Sequence, residues 1–76
     1  MMSPSSIGEA IRQARKAMGL RQDELAAASG VGLRFLVELE RGKATVQLGR
    51  TLLVLGAVGL DVQLVARHSS STLKPS

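Results

Sequence analysis

The chain has 76 residues, the size of one small domain, and contains no cysteine and a single histidine, His68. This composition argues against disulfides, thiolate metal sites and a metal-stabilised fold, so no cofactor is expected. Ten Lys and Arg residues against six Asp and Glu residues give a net charge of +4. That charge favours an anionic partner such as nucleic acid, with a merely basic protein as the alternative.

Membrane insertion, secretion and catalysis are also disfavoured by the sequence. No apolar run approaches the roughly 20 residues of a membrane-spanning helix, and the N-terminal residues lack the apolar core of a signal peptide. We therefore expect a cytoplasmic protein with no membrane partner. The sequence has no Ser–His–Asp or Cys–His set, no glycine-rich phosphate loop and no metal-ligand cluster, so an enzyme is not expected.

Helical spacing of apolar residues predicts a first helix over residues 6–18. Ser6 is expected to be its N-cap, and Glu9 its partner in a capping box. Gly19 is placed to end it.

The following residues predict three more helices with short connections. Alanines favour helix formation, and glycines just after an apolar stretch are typical helix ends. The three predicted helices cover 22–29, closed by Gly30; 33–40, stopped by Gly42; and a longer segment that begins after Thr45 as N-cap and ends at Gly59.

In residues 60–67 the apolar period changes to two, because Leu60, Val62 and Leu64 alternate with polar residues. This alternation predicts a β-strand. An isolated strand has unpaired backbone groups, so we expect it to pair with the same strand of a second copy in a homodimer. The alternative is a fifth short helix or a frayed tail. The polar residues 68–76 are predicted to be disordered.

The pattern over residues 22–41 predicts a helix-turn-helix. A small residue at Ala26 lets the two helices cross closely, and Gly30 can adopt the positive φ of a sharp turn. Apolar residues are expected to lock the second helix of the pair against the first, at positions Leu25, Val31, Leu36 and Leu39.

Several motifs resemble the phage-repressor Cro/CI-type (XRE) helix-turn-helix family: GLRQDELA at 19–26, SGV at 29–31 and LERGK at 39–43. The segment TVQLG at 45–49, with its leucine-rich continuation, is most similar to HipB-type antitoxin regulators, whose last helix is followed by a short strand. The resemblance implies an all-α, four-helix domain over 6–67, with the short C-terminal strand pairing in a homodimer.

In that family the start of the third helix faces the major groove, which implies base contacts from Leu33, Arg34, Val37 and Glu38. Arg34 can bond to the O6/N7 edge of guanine, and Glu38 can accept from N4–H of cytosine. Leu33 or Val37 can touch a thymine methyl group. The alternative for Arg34 and Glu38 is an i,i+4 ion pair on the surface.

DNA phosphate contacts are implied at Arg21, Gln22, Arg41 and Lys43. For Arg41 and Lys43 the alternative is a basic helix C-cap. Family members usually have Thr or Ser at the two cap positions that Arg21 and Gly32 occupy here.

Arg15 and Glu40 correspond to an ion pair of the family that ties the first helix to the end of the third. Phe35 is expected either to join the core or to insert partly beside a sugar. Arg12 and Lys16 are interpreted as part of a solvated face.

The resemblance implies a sequence-specific DNA-binding repressor, a homodimer that binds a palindromic operator in double-stranded DNA. Its HipB-like branch implies an antitoxin that neutralises a HipA-like kinase toxin and represses its own operon. The alternatives are a free-standing phage or plasmid-type repressor, and an adaptor whose basic face binds an acidic protein. Steep salt dependence and discrimination between sequences would separate DNA binding from the adaptor.

Overall fold

The computed structural model describes residues 3–66, and this part of the chain is all-helical. None of the helices in that range is both long enough and apolar enough to cross a membrane. The four helices, in chain order, are α1 (Pro4–Ala17), α2 (Gln22–Ser29), α3 (Leu33–Glu40) and α4 (Leu48–Ala57).

Helix α1 begins earlier than predicted, because its N-cap is Ser3 and not Ser6. The Ser6 N–H donates to the Ser3 hydroxyl at 3.1 Å, and the Ser3 N–H donates to the Ser6 hydroxyl at 2.8 Å. Pro4 suits the first helical position because it has no N–H to satisfy there. Glu9 is not a capping partner; its carboxylate accepts from the Gln13 amide at 2.6 Å.

Helices α2 and α3 have the predicted bounds. Gly30 lies between them with φ 74°, the positive value that the turn requires. Neither Arg21 nor Gly32 caps its helix with a side-chain hydrogen bond. At α2 the Glu24 carboxylate accepts from the Arg21 N–H at 2.8 Å, which is the reciprocal half of a capping box.

Helix α4 begins later than predicted, with Gln47 and not Thr45 as its N-cap. Val46 packs against the core, so the chain continues past Thr45 before it turns into the helix. The Gln47 carbonyl then accepts from both the N–H and the hydroxyl of Thr51, at 3.1 and 2.9 Å.

One hydrophobic core joins the four helices. Each helix contributes one side chain with no exposed surface: Ile11, Leu25, Leu36 and Val54. The core is completed by Ala26, Leu39, Leu55 and Val58. The inward positions predicted for the helix-turn-helix therefore pack as expected, with Val31 partly buried against the same cluster.

Helix α1 crosses α3 very closely at Gly8, which is buried. A Cβ at this position would lie 2.5 Å from the carbonyl oxygen of Leu39 and 2.8 Å from that of Glu40. Both distances are shorter than a carbon and an oxygen can approach without displacement. Glycine at this position therefore permits the contact between the two helices.

The predicted strand over 60–67 is not formed in the single chain, where residues 60–66 have no regular secondary structure. A strand needs a partner for its backbone groups, and the described part of this chain offers none. Leu60 packs against the core, but Val62 and Leu64 are exposed, Leu64 to 96%. Their predicted burial is thus absent within one chain. The predicted tail 68–76 lies outside the described residues.

The close crossing at Gly8 can be tested by adding a single methyl group. We expect Gly8→Ala to lower the free energy of unfolding by about 1–3 kcal/mol, because the methyl group forces α1 away from α3. Gly49→Ala in α4 is the matched control, since nothing lies within 4 Å of its added Cβ. The control is expected to be neutral or stabilising by up to about 1 kcal/mol. Urea denaturation of both variants, followed by circular dichroism, measures the difference, and equal effects would contradict the close crossing.

Candidate nucleic-acid interface

A buried ion pair ties α1 to the end of α3. The Arg15 guanidinium donates from Nε to Glu40 Oε2 at 2.7 Å and from Nη2 to Glu40 Oε1 at 3.1 Å. The two side chains are only 11% and 3% exposed. Arg15 Nη1 also donates to the Leu20 carbonyl at 2.9 Å, and Gln22 Nε2 donates to Glu40 Oε1 at 3.1 Å. The pair inferred from the family resemblance is therefore present, and it also holds the start of α2.

Gln22, a proposed phosphate contact, is positioned by this bond to Glu40. It borders a mostly polar groove between α1, α2 and α3 with a volume of about 310 Å³. The other residues that line the groove are Glu9, Arg12, Val37, Glu40 and Arg41. Gln22 and Arg41 thus line the same groove as Glu40.

The four residues predicted to read bases lie together on the outward side of α3. Leu33 and Arg34 are exposed, and the Arg34 side chain is exposed to 92%. Val37 and Glu38 are partly buried, while the opposite side of the helix carries the buried Leu36. The structure therefore leaves a mixed surface of apolar, cationic and anionic groups available to a partner.

Glu38 forms ion pairs with two cations on this surface. Its carboxylate lies 3.8 Å from Arg34 Nε and 3.3 Å from Lys43 Nζ. The i,i+4 ion pair between Arg34 and Glu38, which is the alternative to base contact, is thus formed in the DNA-free chain. Exposed pairs of this kind contribute little to stability, so the cations can exchange the carboxylate for another anion.

Arg21 differs from the other predicted phosphate contacts because it lies beside two carboxylates. Its guanidinium lies 3.1 Å from Asp23 and 3.9 Å from Glu24. The hydrogen bond from Arg21 lowers the pKa of Asp23 below its usual value. Arg41 is the exposed C-cap of α3, and Lys43 is exposed as well. Both phosphate contacts predicted near the end of α3 therefore lie at the protein surface.

Arg50 is a cation beside α3 that the sequence analysis did not single out. Its guanidinium carbon lies 6.0 Å from the centre of the Phe35 ring, within reach of a cation–π contact. Phe35 itself packs partly against the core. The only sequence signal was a basic residue in the first turn of α4, and its proximity to the ring depends on how α4 packs.

A family model described as helix-turn-helix matches residues 11–64. The curated "Uncharacterized HTH-type transcriptional regulator y4mF" of Sinorhizobium fredii (strain NBRC 101917 / NGR234) is 50% identical over 64 residues, which cover 84% of each protein.

Solved structures share the fold at lower identity. The chain superposes on the solved structure "HipB-O4 20mer complex" with a TM-score of 0.79, and on "Structure of HipA-HipB-O2-O3 complex" with a TM-score of 0.80. In each case the identity is 22%, and the match covers 90% of this chain and 96% of the other. At this identity the likeness concerns the fold alone.

The family match covers both helices of the predicted helix-turn-helix and the core residues of α4. Together with the relative that shares half of its aligned residues, it confirms the resemblance to the Cro/CI-type (XRE) proteins. The chain belongs to the helix-turn-helix family, among the HTH-type transcriptional regulators.

Proposed function

We propose that this protein is a sequence-specific DNA-binding repressor that acts as a homodimer on a palindromic operator. The observation that carries the proposal is the outward side of α3, where Leu33, Arg34, Val37 and Glu38 form one accessible surface. The net charge of +4 agrees with a polyanionic partner.

The chemistry of this surface matches the edges of base pairs in the major groove. Arg34 presents two parallel N–H donors, which fit the O6 and N7 acceptors of guanine. Leu33 and Val37 offer apolar contact to a thymine methyl group. Because α3 is held from behind by the Arg15–Glu40 pair, these side chains project from a rigid support.

Phosphate contacts would bracket the reading helix. Gln22 lies at the start of α2, and Arg41 and Lys43 follow the end of α3. Such contacts fix the register of the protein on the duplex and carry no sequence information themselves. Arg21 has two carboxylates beside it, Asp23 and Glu24, which repel a phosphate, so we expect it to contribute least among the four proposed phosphate contacts.

Exposed apolar residues support the homodimer. They cluster on the outer side of α4 and in the segment that follows it: Leu48, Leu52, Leu53, Val62, Leu64 and Val65. Six of the eight large apolar residues that are exposed in the described part of the chain thus lie in this region, and grouped apolar residues on a surface are typical of an interaction site. A second copy would cover it, and pairing of residues 60–67 between the copies would satisfy the backbone groups of the predicted strand.

We further propose that the protein is the antitoxin of a HipA-like kinase toxin and represses its own operon. The support is the shared fold with HipB, which has been solved in a complex with HipA. A kinase-like toxin encoded next to this protein, and a stable complex on co-expression, would agree with this role. A neighbouring gene of another kind would favour a free-standing repressor.

The base-reading role of Arg34 predicts a loss of sequence preference on substitution. Arg34→Ala should lower the affinity for the operator by about 1–3 kcal/mol and relax the preference at one base pair in each half-site. Lys43→Ala is the matched control, because loss of a phosphate contact weakens binding to all sequences alike. Fluorescence anisotropy with an operator selected from random duplexes, and with its single-base variants, measures both effects.

Two outcomes would contradict this assignment. If Arg34→Ala weakens operator and random DNA equally, Arg34 contacts phosphate and not a base. If the wild type shows neither salt-dependent nor sequence-dependent binding, the protein is not a DNA-binding repressor, and the adaptor alternative gains support.

The proposed pairing of residues 60–67 between two copies predicts that the dimer is lost when proline replaces Val62. Val62→Pro removes one N–H donor and fixes φ away from the extended value, so the dimer should dissociate. The core residues lie within α1 to α4 and at Val58, so the single module should remain folded. Operator affinity should fall about a hundredfold or more, because each module then binds alone.

Sedimentation at micromolar concentration measures the association of wild type and variant, with truncation after Ser70 as a control that should change little. A monomeric wild type would refute the proposed dimer interface at residues 60–67. So would a Val62→Pro protein that dimerises as well as the wild type.

A further inference from the structure

A carboxylate lies in the middle of the surface proposed to bind an anionic polymer. The Glu38 side chain is 32% exposed and lies 3.8 Å from Arg34 and 3.3 Å from Lys43. In the DNA-free protein, Glu38 thus pairs with both Arg34, the proposed base contact, and Lys43, a proposed phosphate contact.

The backbone places Arg34 and Lys43 near the same carboxylate. The Lys43 N–H donates to the Glu38 carbonyl at 3.1 Å, which brings Lys43 back over the end of α3. Gly42 permits this reversal with φ 86°. Arg34 precedes Glu38 by one helical turn, so it reaches the same carboxylate along the helix surface.

We infer that Glu38 is an electrostatic specificity determinant, which weakens binding to random DNA more than binding to the operator. The inference rests on the proposed function. On random DNA, Arg34 and Lys43 turn towards phosphates, and the Glu38 carboxylate is left beside the polyanion without its partners. On the operator, a cytosine N4–H donor at this position offers the carboxylate a hydrogen bond that offsets the repulsion. The protein thus discriminates against random DNA, because only the operator offsets the repulsion between the Glu38 carboxylate and the phosphates.

Glu38→Gln tests this inference because it removes the charge and keeps the shape and one acceptor oxygen. Affinity for a random duplex should rise about three- to tenfold at roughly 0.1 M salt. The plot of log K against log salt should become steeper, by up to about 0.9. Affinity for the operator should rise less, so the ratio of operator to random binding should fall.

Two further variants separate the possible causes. Ala17→Lys is the matched control, since it makes the same change in net charge at an exposed residue of α1 that belongs to neither proposed interface. It should leave the ratio of operator to random binding unchanged. Glu38→Ala should raise random binding as Glu38→Gln does, and should also lose affinity for the operator, because it has no acceptor. Thermal melting of each variant confirms that the fold is retained.

The inference is overturned if Glu38→Gln raises random binding no more than Ala17→Lys does, since net charge alone then explains the effect. It is equally overturned if Glu38→Gln weakens both kinds of binding. If the wild type binds DNA and Glu38→Gln has the same affinities as the wild type, this inference is refuted but the proposed function is not. A wild type that binds no duplex refutes the proposed function and this inference with it.

Discussion

Among the ion pairs of the described residues, the bidentate contact between Arg15 and Glu40 is the most deeply buried, and it ties α1 to the end of α3. Charges this deeply buried are tolerated only when they are paired and their remaining polar atoms are satisfied. Here the Leu20 carbonyl and the Gln22 amide complete the set, and no side-chain polar atom buried within residues 3–66 lacks a partner. The close crossing at Gly8 brings α1 near enough to α3 for this geometry to form.

The same carboxylate links the two parts of the proposed DNA surface. Glu40 fixes the end of α3, the helix that carries Arg34 and Glu38, and it holds the Gln22 side chain at the start of α2. The proposed reading helix and the proposed phosphate contact at Gln22 are therefore held in a fixed relative position in the DNA-free protein. Preorganisation of this kind lowers the conformational cost of binding. The exposed cations keep their freedom, because they are held only by surface ion pairs around Glu38.

Local sequence signals predicted α2 and α3 to the residue, because Gly30 and the apolar spacing act within a few residues. The starts of α1 and α4 were wrong because Ser3 and Ser6 are both good caps and because the packing of Val46 decides where α4 begins. The close contact at Gly8 and the approach of Arg50 to Phe35 depend on tertiary packing, which periodicity does not encode. Arg15 and Glu40 are far apart in the sequence, so only the family resemblance pointed to their pairing. The segment after Leu60 alternates like a strand, but strand formation there needs a partner that one chain does not supply.

A double-mutant cycle on Arg15 and Glu40 tests most directly whether the buried pair holds α3 in place. We expect Arg15→Met and Glu40→Met each to lower the free energy of unfolding by about 3–5 kcal/mol, because each leaves one buried charge without its partner. The loss of unfolding free energy in the double variant should be clearly smaller than the sum of the losses in the two single variants, since the double variant leaves no buried charge. Urea denaturation of the wild type and the three variants gives the coupling free energy. Additive losses would show that the two side chains act independently and would contradict the account.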